Sequence, residues 1–249
     1  MSTLYIVATP IGNLEDFTFR ALRILREVDL ILCEDTRVTR KLLAHYNIEK
    51  PVVSYHQHSK EDKMREILHL LSQGKNLALV SDAGTPGISD PGNKLVSYIV
   101  SGSNAEESAK KAQLWEKCTV NIVPVPGASA LATLASVAGI PMDRFVFLGY
   151  PPHKKGRKKF FEEVAQSKYS VIFYESPHRI LKTLSDLQSL SLQNLATAKI
   201  HSVIVGRELT KKFETVYRGS VDKVRQMIET DTSKGEFVIL VHSNKGGAP

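Results

Sequence analysis

An α/β architecture in two domains is expected from the sequence on three grounds. Short apolar runs of strand length alternate with segments whose apolar residues recur at helical spacing, and glycine- and proline-rich loops stand at the ends of several of those runs. The texture of the chain also changes after Ile140, where a polar, proline-bearing segment opens a second set of apolar runs. A chain of 249 residues can fill one large domain or two modest ones.

In the first half, Leu4 to Ala8, Leu30 to Cys33, Leu77 to Val80 and Val120 to Val125 read as strands. Leu22, Leu25 and Val28 mark a helix before the second strand, and Met64, Ile67, Leu68 and Leu71 sit on one face of another. Alternation of this kind predicts a parallel sheet. The first strand ends in TPIGNLEDFT, the third in VSDAGTPGISDPG, and the fourth in VPVPGASA before an Ala/Leu-rich helix. Ligands of open α/β sheets bind beyond the carboxyl ends of the strands, so these loops define a candidate crevice.

In the second half, GYPPHKKGRKK reads as a flexible loop, followed by strands at SVIFY, HSVIVG and EFVILV. The PVPG run can act as a hinge, which places an N-terminal domain at 1–124 and a C-terminal domain at 125–249. Residues 101–118 read as an exposed insertion in the first domain, with a short helix supported by Glu/Lys pairs at helical spacing.

The loop Ala78 to Gly92 carries the most chemistry. Gly84, Gly87 and Gly92 permit positive φ and close backbone approach, while Pro86 and Pro91 fix the turns. It is not a phosphate loop, because it holds Asp82 and Asp90 and no basic residue before Lys94. Carboxylates at its mouth suit a ligand with hydroxyls, an ammonium, a sulfonium or a metal; the competing reading is that they cap their own turns. Asp82, Asp90, Glu34 and Asp35 follow no metal-loop signature, and no metal is expected.

Lys plus Arg number 33 against 26 Asp plus Glu, a net charge of +7 that admits RNA as a partner. Cys33 and Cys118 match no metal spacing, which suits a reducing compartment, and Cys33 at the end of an apolar run reads as a core residue. No run reaches the roughly 20 apolar residues that span a bilayer, and the N-terminus enters a strand without a signal-peptide pattern. A soluble, cytoplasmic protein is expected.

With TPIGNLEDFT, EDTRVTRKLL, VSDAGTPGISDPG, VPGASAL, FYESPHR and RELTKKFET in this order, the chain resembles the tetrapyrrole methylase superfamily of S-adenosylmethionine-dependent methyltransferases. Within it, the resemblance is to the branch that methylates a ribose 2′-hydroxyl of small-subunit ribosomal RNA. The resemblance implies two α/β domains with the methyl donor in the cleft between them, a homodimer, and a cytidine of the decoding region as acceptor. It places donor contacts at Pro10, Asp82, Gly84, Thr85, Ile88, Ser129 and Ala130, with Tyr174 and Glu236 contributed by the second domain. Ser129 as a helix N-cap and Tyr174 as a core aromatic are the structural alternatives.

Transfer to a hydroxyl requires in-line positioning and gains from a base or cation near the oxygen. Candidates are Glu34, Asp35 and Arg37 in CEDTR, Glu175 and His178 in YESPHR, and Arg207 and Glu208 in RELT. Ion pairing between domains is the competing reading for the acid and base pairs. Lys154, Lys155, Arg157, Lys158 and Lys159 form a basic segment suited to an RNA backbone. A methylase of a tetrapyrrole or other small acceptor, and a non-catalytic RNA-binding assembly protein, are the rival functions.

Overall fold

The computed structural model describes residues 2–56, 59, 61–102, 119–193 and 200–243. The chain divides into two compact units, Met1–Ser129 and Ala130–Pro249, each with its own five-stranded sheet.

The first unit runs β1 (Ser2–Val7), α1 (Phe19–Glu27), β2 (Leu30–Cys33), α2 (Thr36–His45), β3 (Val52–Ser54), α3 (Glu61–Ser72), β4 (Leu77–Val80), α4 (Asn93–Gly102) and β5 (Val120–Val125). Its sheet order is β3-β2-β4-β1-β5, and every pairing is parallel. Period-2 alternation sends Leu77 and Leu79 of β4 to one face, with Met64, Ile67, Leu71, Leu95 and Ile99. Ala78 and Val80 go to the other, with Ala21, Ile24, Leu25 and Leu43. Such a sheet must be covered on both sides, which explains four consecutive buried residues in β4.

The second unit runs α5 (Ala130–Ser136), β6 (Phe145–Phe147), α6 (Arg157–Gln166), β7 (Ser170–Glu175), α7 (Ile180–Gln193), β8 (Ile200–Arg207), β9 (Thr215–Gly219), α8 (Val221–Thr230) and β10 (Phe237–Ser243). Its sheet is mixed: in the order β6-β7-β10-β8-β9, only β6 and β7 run parallel. One core cluster joins α6, α7 and α8 to one sheet face through Phe161, Leu184, Val224, Phe173, Val205 and Ile239. Helix α5 packs against β10.

Short strands β3, β6 and β9 are additions to the sequence expectation. The basic segment is corrected in part: it is not loop throughout, because Gly156 at φ +87° opens α6 at Arg157, so Lys158 and Lys159 are helical. The expected insertion at 101–118 lies outside the described residues from 103 onward, Ser101 and Gly102 being the end of α4. Among the described residues, no helix is long and apolar enough to cross a membrane, and no cluster of three His, Cys, Asp or Glu could hold a metal.

Candidate functional site

In the first unit the strands β1, β2, β4 and β5 deliver their loops to the carboxyl edge of the parallel sheet, and those loops are tied together by backbone. Thr9 and Gly84 exchange both hydrogen bonds, Thr9 N to Gly84 O at 2.9 Å and Gly84 N to Thr9 O at 3.1 Å. The buried Thr9 hydroxyl donates to Ser81 O at 3.1 Å, and the Ser81 hydroxyl to Gly84 O at 3.0 Å. Thr85 Oγ1 donates to Ala128 O at 3.1 Å, which fastens the β4 loop to the β5 loop.

Glycine is required where these loops close on one another. Gly84 stands at φ +85°, and a Cβ at Gly127 would lie 2.9 Å from the Ala8 Cβ. Gly87 at φ +86° has no room for a Cβ either, because Asn93 Oδ1 would be 2.7 Å away; Asn93 instead donates to Gly87 O at 2.8 Å. Pro86 and Pro91 are buried, so the turn is set by packing as well as by dihedral restriction. The candidate donor residues Pro10, Asp82, Gly84, Thr85, Ile88 and Ser129 therefore share one loop cluster. Ala130, the next residue, begins α5.

Beside that cluster, a cavity of about 560 Å³ is lined by Glu34, Asp35, Thr36, Arg37, Ser54, His56 and Asp82. Its acids differ in state. Asp35 caps α2 through Arg37 N at 2.8 Å and forms a double contact with the Arg37 guanidinium, which holds its carboxyl down at about 2. One Asp82 oxygen accepts Asp35 N at 3.0 Å and links the ends of β2 and β4. Burial, and then the neighbouring Asp82 charge, push Glu34 up from its ordinary value. Burial and the charges of Glu34 and Asp82 push Asp90 up to about 7. Cys33 is buried and its thiol is raised by that burial, so it is no nucleophile.

In the second unit most candidate charges are engaged. Glu175 is 2% exposed and accepts from Ser176 N at 2.7 Å and Thr183 Oγ1 at 2.6 Å, with Arg179 Nη2 at 2.8 Å and Arg157 Nη1 at 3.7 Å. Arg157 is itself buried, donating to Asp186 at 2.9 Å and Thr183 at 2.8 Å. It is a core cation, unlike the exposed Lys154, Lys155, Lys158 and Lys159. Arg207 donates to Lys234 O at 2.7 Å and Phe213 O at 3.2 Å. Glu208, at φ +49°, accepts Glu236 N at 2.9 Å and Lys211 Nζ at 3.0 Å. Burial would raise Glu208, but the Glu236 amide and Lys211 outweigh it and lower its carboxyl.

Glu236 is exposed and shares Lys211 at 2.8 Å. Tyr174 lies in β7 with its ring 5.0 Å from Phe147 and 5.4 Å from Tyr150. His178 is exposed in the turn before α7. The ion pairs of Asp35 with Arg37, of Glu175 with Arg157 and Arg179, and of Lys211 with Glu208 and Glu236 each lie within one unit. The sequence marks Asp90 as a loop carboxylate that could face a ligand or cap its own turn, but not as a catalytic candidate; only its burial next to two acids distinguishes it for that role.

The family model for tetrapyrrole (corrin/porphyrin) methylases matches residues 3–225. A protein of Halalkalibacterium halodurans called ribosomal RNA small subunit methyltransferase I is 44% identical over 243 residues, covering 97% of this chain and 76% of that protein. The Thermotoga maritima protein of the same name is 39% identical, covering 97% of this chain and 98% of that protein. Among solved structures, a cobalt precorrin-4 methyltransferase aligns with a TM-score of 0.60 at 18% identity, covering 96% of this chain and 94% of that one. A uroporphyrin-III-C-methyltransferase from Thermus thermophilus aligns with a TM-score of 0.56 at 16% identity, covering 96% and 94%. Those two structures bear on the fold, an α/β architecture with one sheet in each unit. The family match and the relatives extend through both units, and the chain belongs to the tetrapyrrole (corrin/porphyrin) methylase family.

Proposed function

We propose that this chain transfers the methyl group of S-adenosylmethionine to the ribose 2′-hydroxyl of a cytidine in the decoding region of small-subunit ribosomal RNA. The observation that carries this reading is the run of relatives near 40% identity, all called ribosomal RNA small subunit methyltransferase I, that align with almost the whole chain. When bound, the donor supplies an electrophilic methyl carbon on a cationic sulfonium.

The first unit's loop cluster fits such a group. Gly84 and Gly127 let the β1, β4 and β5 loops close on one another, and the loop from Ser81 to Gly92 offers amides, carbonyls and two carboxylates without a base that would call for a phosphate. Asp82 supplies negative charge where a cation would rest. We assign the donor to Pro10, Asp82, Gly84, Thr85, Ile88, Ser129 and Ala130, and further contacts to Tyr174 and Glu236.

For the acceptor, a base must take the hydroxyl proton as the oxygen attacks in line. We assign that proton to Glu34, which lines the cavity and is raised by burial and the Asp82 charge, or to Asp90 of the β4 loop, pushed up to about 7 by burial and by the charges of Glu34 and Asp82. Exposed Lys154, Lys155, Lys158 and Lys159 are assigned to RNA phosphates. A division into functional domains near residue 125, a homodimer and a cytoplasmic setting complete the reading.

Labelled methyl transfer from S-adenosylmethionine to unmodified small ribosomal subunits, with mapping of alkali-resistant positions, tests it. One modified ribose in the decoding region is the expected result. Donor binding with transfer to a porphyrinoid but not to RNA overturns the acceptor, and absence of donor binding overturns the enzyme.

A further inference from the structure

We infer that Tyr150 is a stacking platform for an unpaired base of RNA, held at the foot of the lysine segment by a buried arginine–glutamate network. The inference rests on the RNA reading above and adds to it a site for a base, where that reading supplied only phosphate contacts.

Tyr150 leaves 55% of its surface in solvent although its backbone is fixed on both sides. Upstream, the chain continues beside β7 through Leu148 N to Ile172 O at 3.0 Å and Tyr174 N to Gly149 O at 2.8 Å, then turns at Gly149 with φ +65°. Downstream, Arg179 Nη1 holds Pro151 O at 2.9 Å and Arg157 Nη1 approaches Pro152 O at 3.5 Å. Both arginines are anchored on the buried Glu175 carboxylate. One side of the ring leans on Tyr174, with centroids 5.4 Å apart and the planes at 60°.

A ring fixed in this way loses little entropy on binding, and a π face accepts any base. What selects nucleic acid over an apolar protein partner is the charge beside it: exposed Lys154 and Lys155 follow within five residues, and Lys158 and Lys159 project from the first turn of α6. An aromatic face flanked by cations is the arrangement by which single-stranded RNA is held, base on ring and phosphates on lysines. The Glu175 network supplies rigidity: without it the two proline carbonyls lose their donors and the ring its position.

The test is binding of the full chain to single-stranded small-subunit ribosomal RNA across a salt series. Stacking is not ionic, so Tyr150→Ala and Tyr150→Leu should weaken binding about tenfold with the slope of log affinity against log salt unchanged. Tyr150→Phe keeps the face and should bind like the wild type. A Lys154→Ala, Lys155→Ala double variant should flatten the slope by about 1.4, giving the complementary signature. Thermal unfolding of each variant accompanies the series.

Three results overturn the inference: wild-type affinity in Tyr150→Leu, loss in Tyr150→Phe equal to that in Tyr150→Ala, or a Tyr150→Ala slope that falls with affinity, which marks a collapsed loop. If the wild-type chain itself binds no RNA, the RNA reading falls and takes the platform with it. RNA binding by the wild type with an indifferent Tyr150 removes the platform alone.

Discussion

Two acids near the carboxyl edge of the first unit's sheet and two in the second unit sit in opposite surroundings. Glu175 and Glu208 sit against arginine, lysine and amide donors. Asp90 and Glu34 are raised by burial and by one another's neighbours, with no lysine or arginine among the causes. Asp35 shows that the difference is local: one residue from Glu34, it meets Arg37 and drops to about 2. A carboxylate given a cation becomes a strut, whereas one given only burial and other acids is left ready to hold a proton.

The largest expected effect is on the strut side. Glu175→Ala leaves the guanidiniums of Arg157 and Arg179 in the interior with one fewer anion, and loss of a buried partner costs about 3–5 kcal/mol. Asp186 still holds Arg157 at 2.9 Å, which places the expected loss at the lower end of that span. Denaturant unfolding measures it, and a loss under about 1 kcal/mol would show that the network is no more valuable than a surface pair.

Next in size is Gly127→Ala. Its Cβ would stand 2.9 Å from that of Ala8, so the β1 and β5 loops must part. Overpacking of this kind costs about 1–3 kcal/mol, and the exposed setting of Gly127 puts the expectation near the low value. Donor affinity, measured by calorimetry, should fall out of proportion to stability, since the same loops are proposed to hold the donor. Equal and small losses in both would place the donor elsewhere.

Asp90→Asn should yield a smaller effect that changes with pH. The folded carboxyl stands at about 7 against an ordinary 3.8, so the folded state binds more protons between those values. Stability from this group is complete below about 4 and is lost as pH rises through about 7. The asparagine variant lacks this loss, and its unfolding midpoint should gain on the wild type between pH 5 and pH 8. In transfer assays it should lower the rate and also remove the fall in rate below about pH 7 that protonation of a general base produces. A midpoint difference that is flat with pH would show that Asp90 is ionised like any surface aspartate.

Much of the fold was legible because burial on both faces writes an unmistakable pattern. Leu30–Cys33, Leu77–Val80 and Val120–Val125 occupy the strands expected of them. Val52–Ser54 and Phe145–Phe147 were not legible, since three residues at a sheet edge show no period. The loops of the candidate site were visible through their glycines and prolines, because backbone shape restricts residue choice directly. Charge states were not. Arg157 belongs to a basic run that reads as solvated, and it is buried because Glu175 and Asp186, distant in sequence, meet it in space. Asp90 gave no sign of being raised for a related reason: of the two charges that raise it, Asp82 belongs to its own loop, but Glu34 comes from the end of β2.

The smallest expected effect sharpens the comparison from the other side. Asp35 and Arg37 form a pair as short as any in the second unit, 2.6 Å, but the Arg37 side chain is 85% exposed. Water already solvates both charges, and holding the long side chain in one geometry costs rotamer entropy that offsets the attraction. Arg37→Ala should therefore leave the unfolding midpoint where it is, while Asp35 continues to cap α2 through the Arg37 backbone amide. The difference from Glu175→Ala would then combine burial with the second arginine and the Ser176 and Thr183 hydrogen bonds that Glu175 also loses. A midpoint that drops in Arg37→Ala, and recovers in high salt in neither protein, would mean that the pair is shielded from solvent and that the cavity it lines is more closed than its exposure indicates.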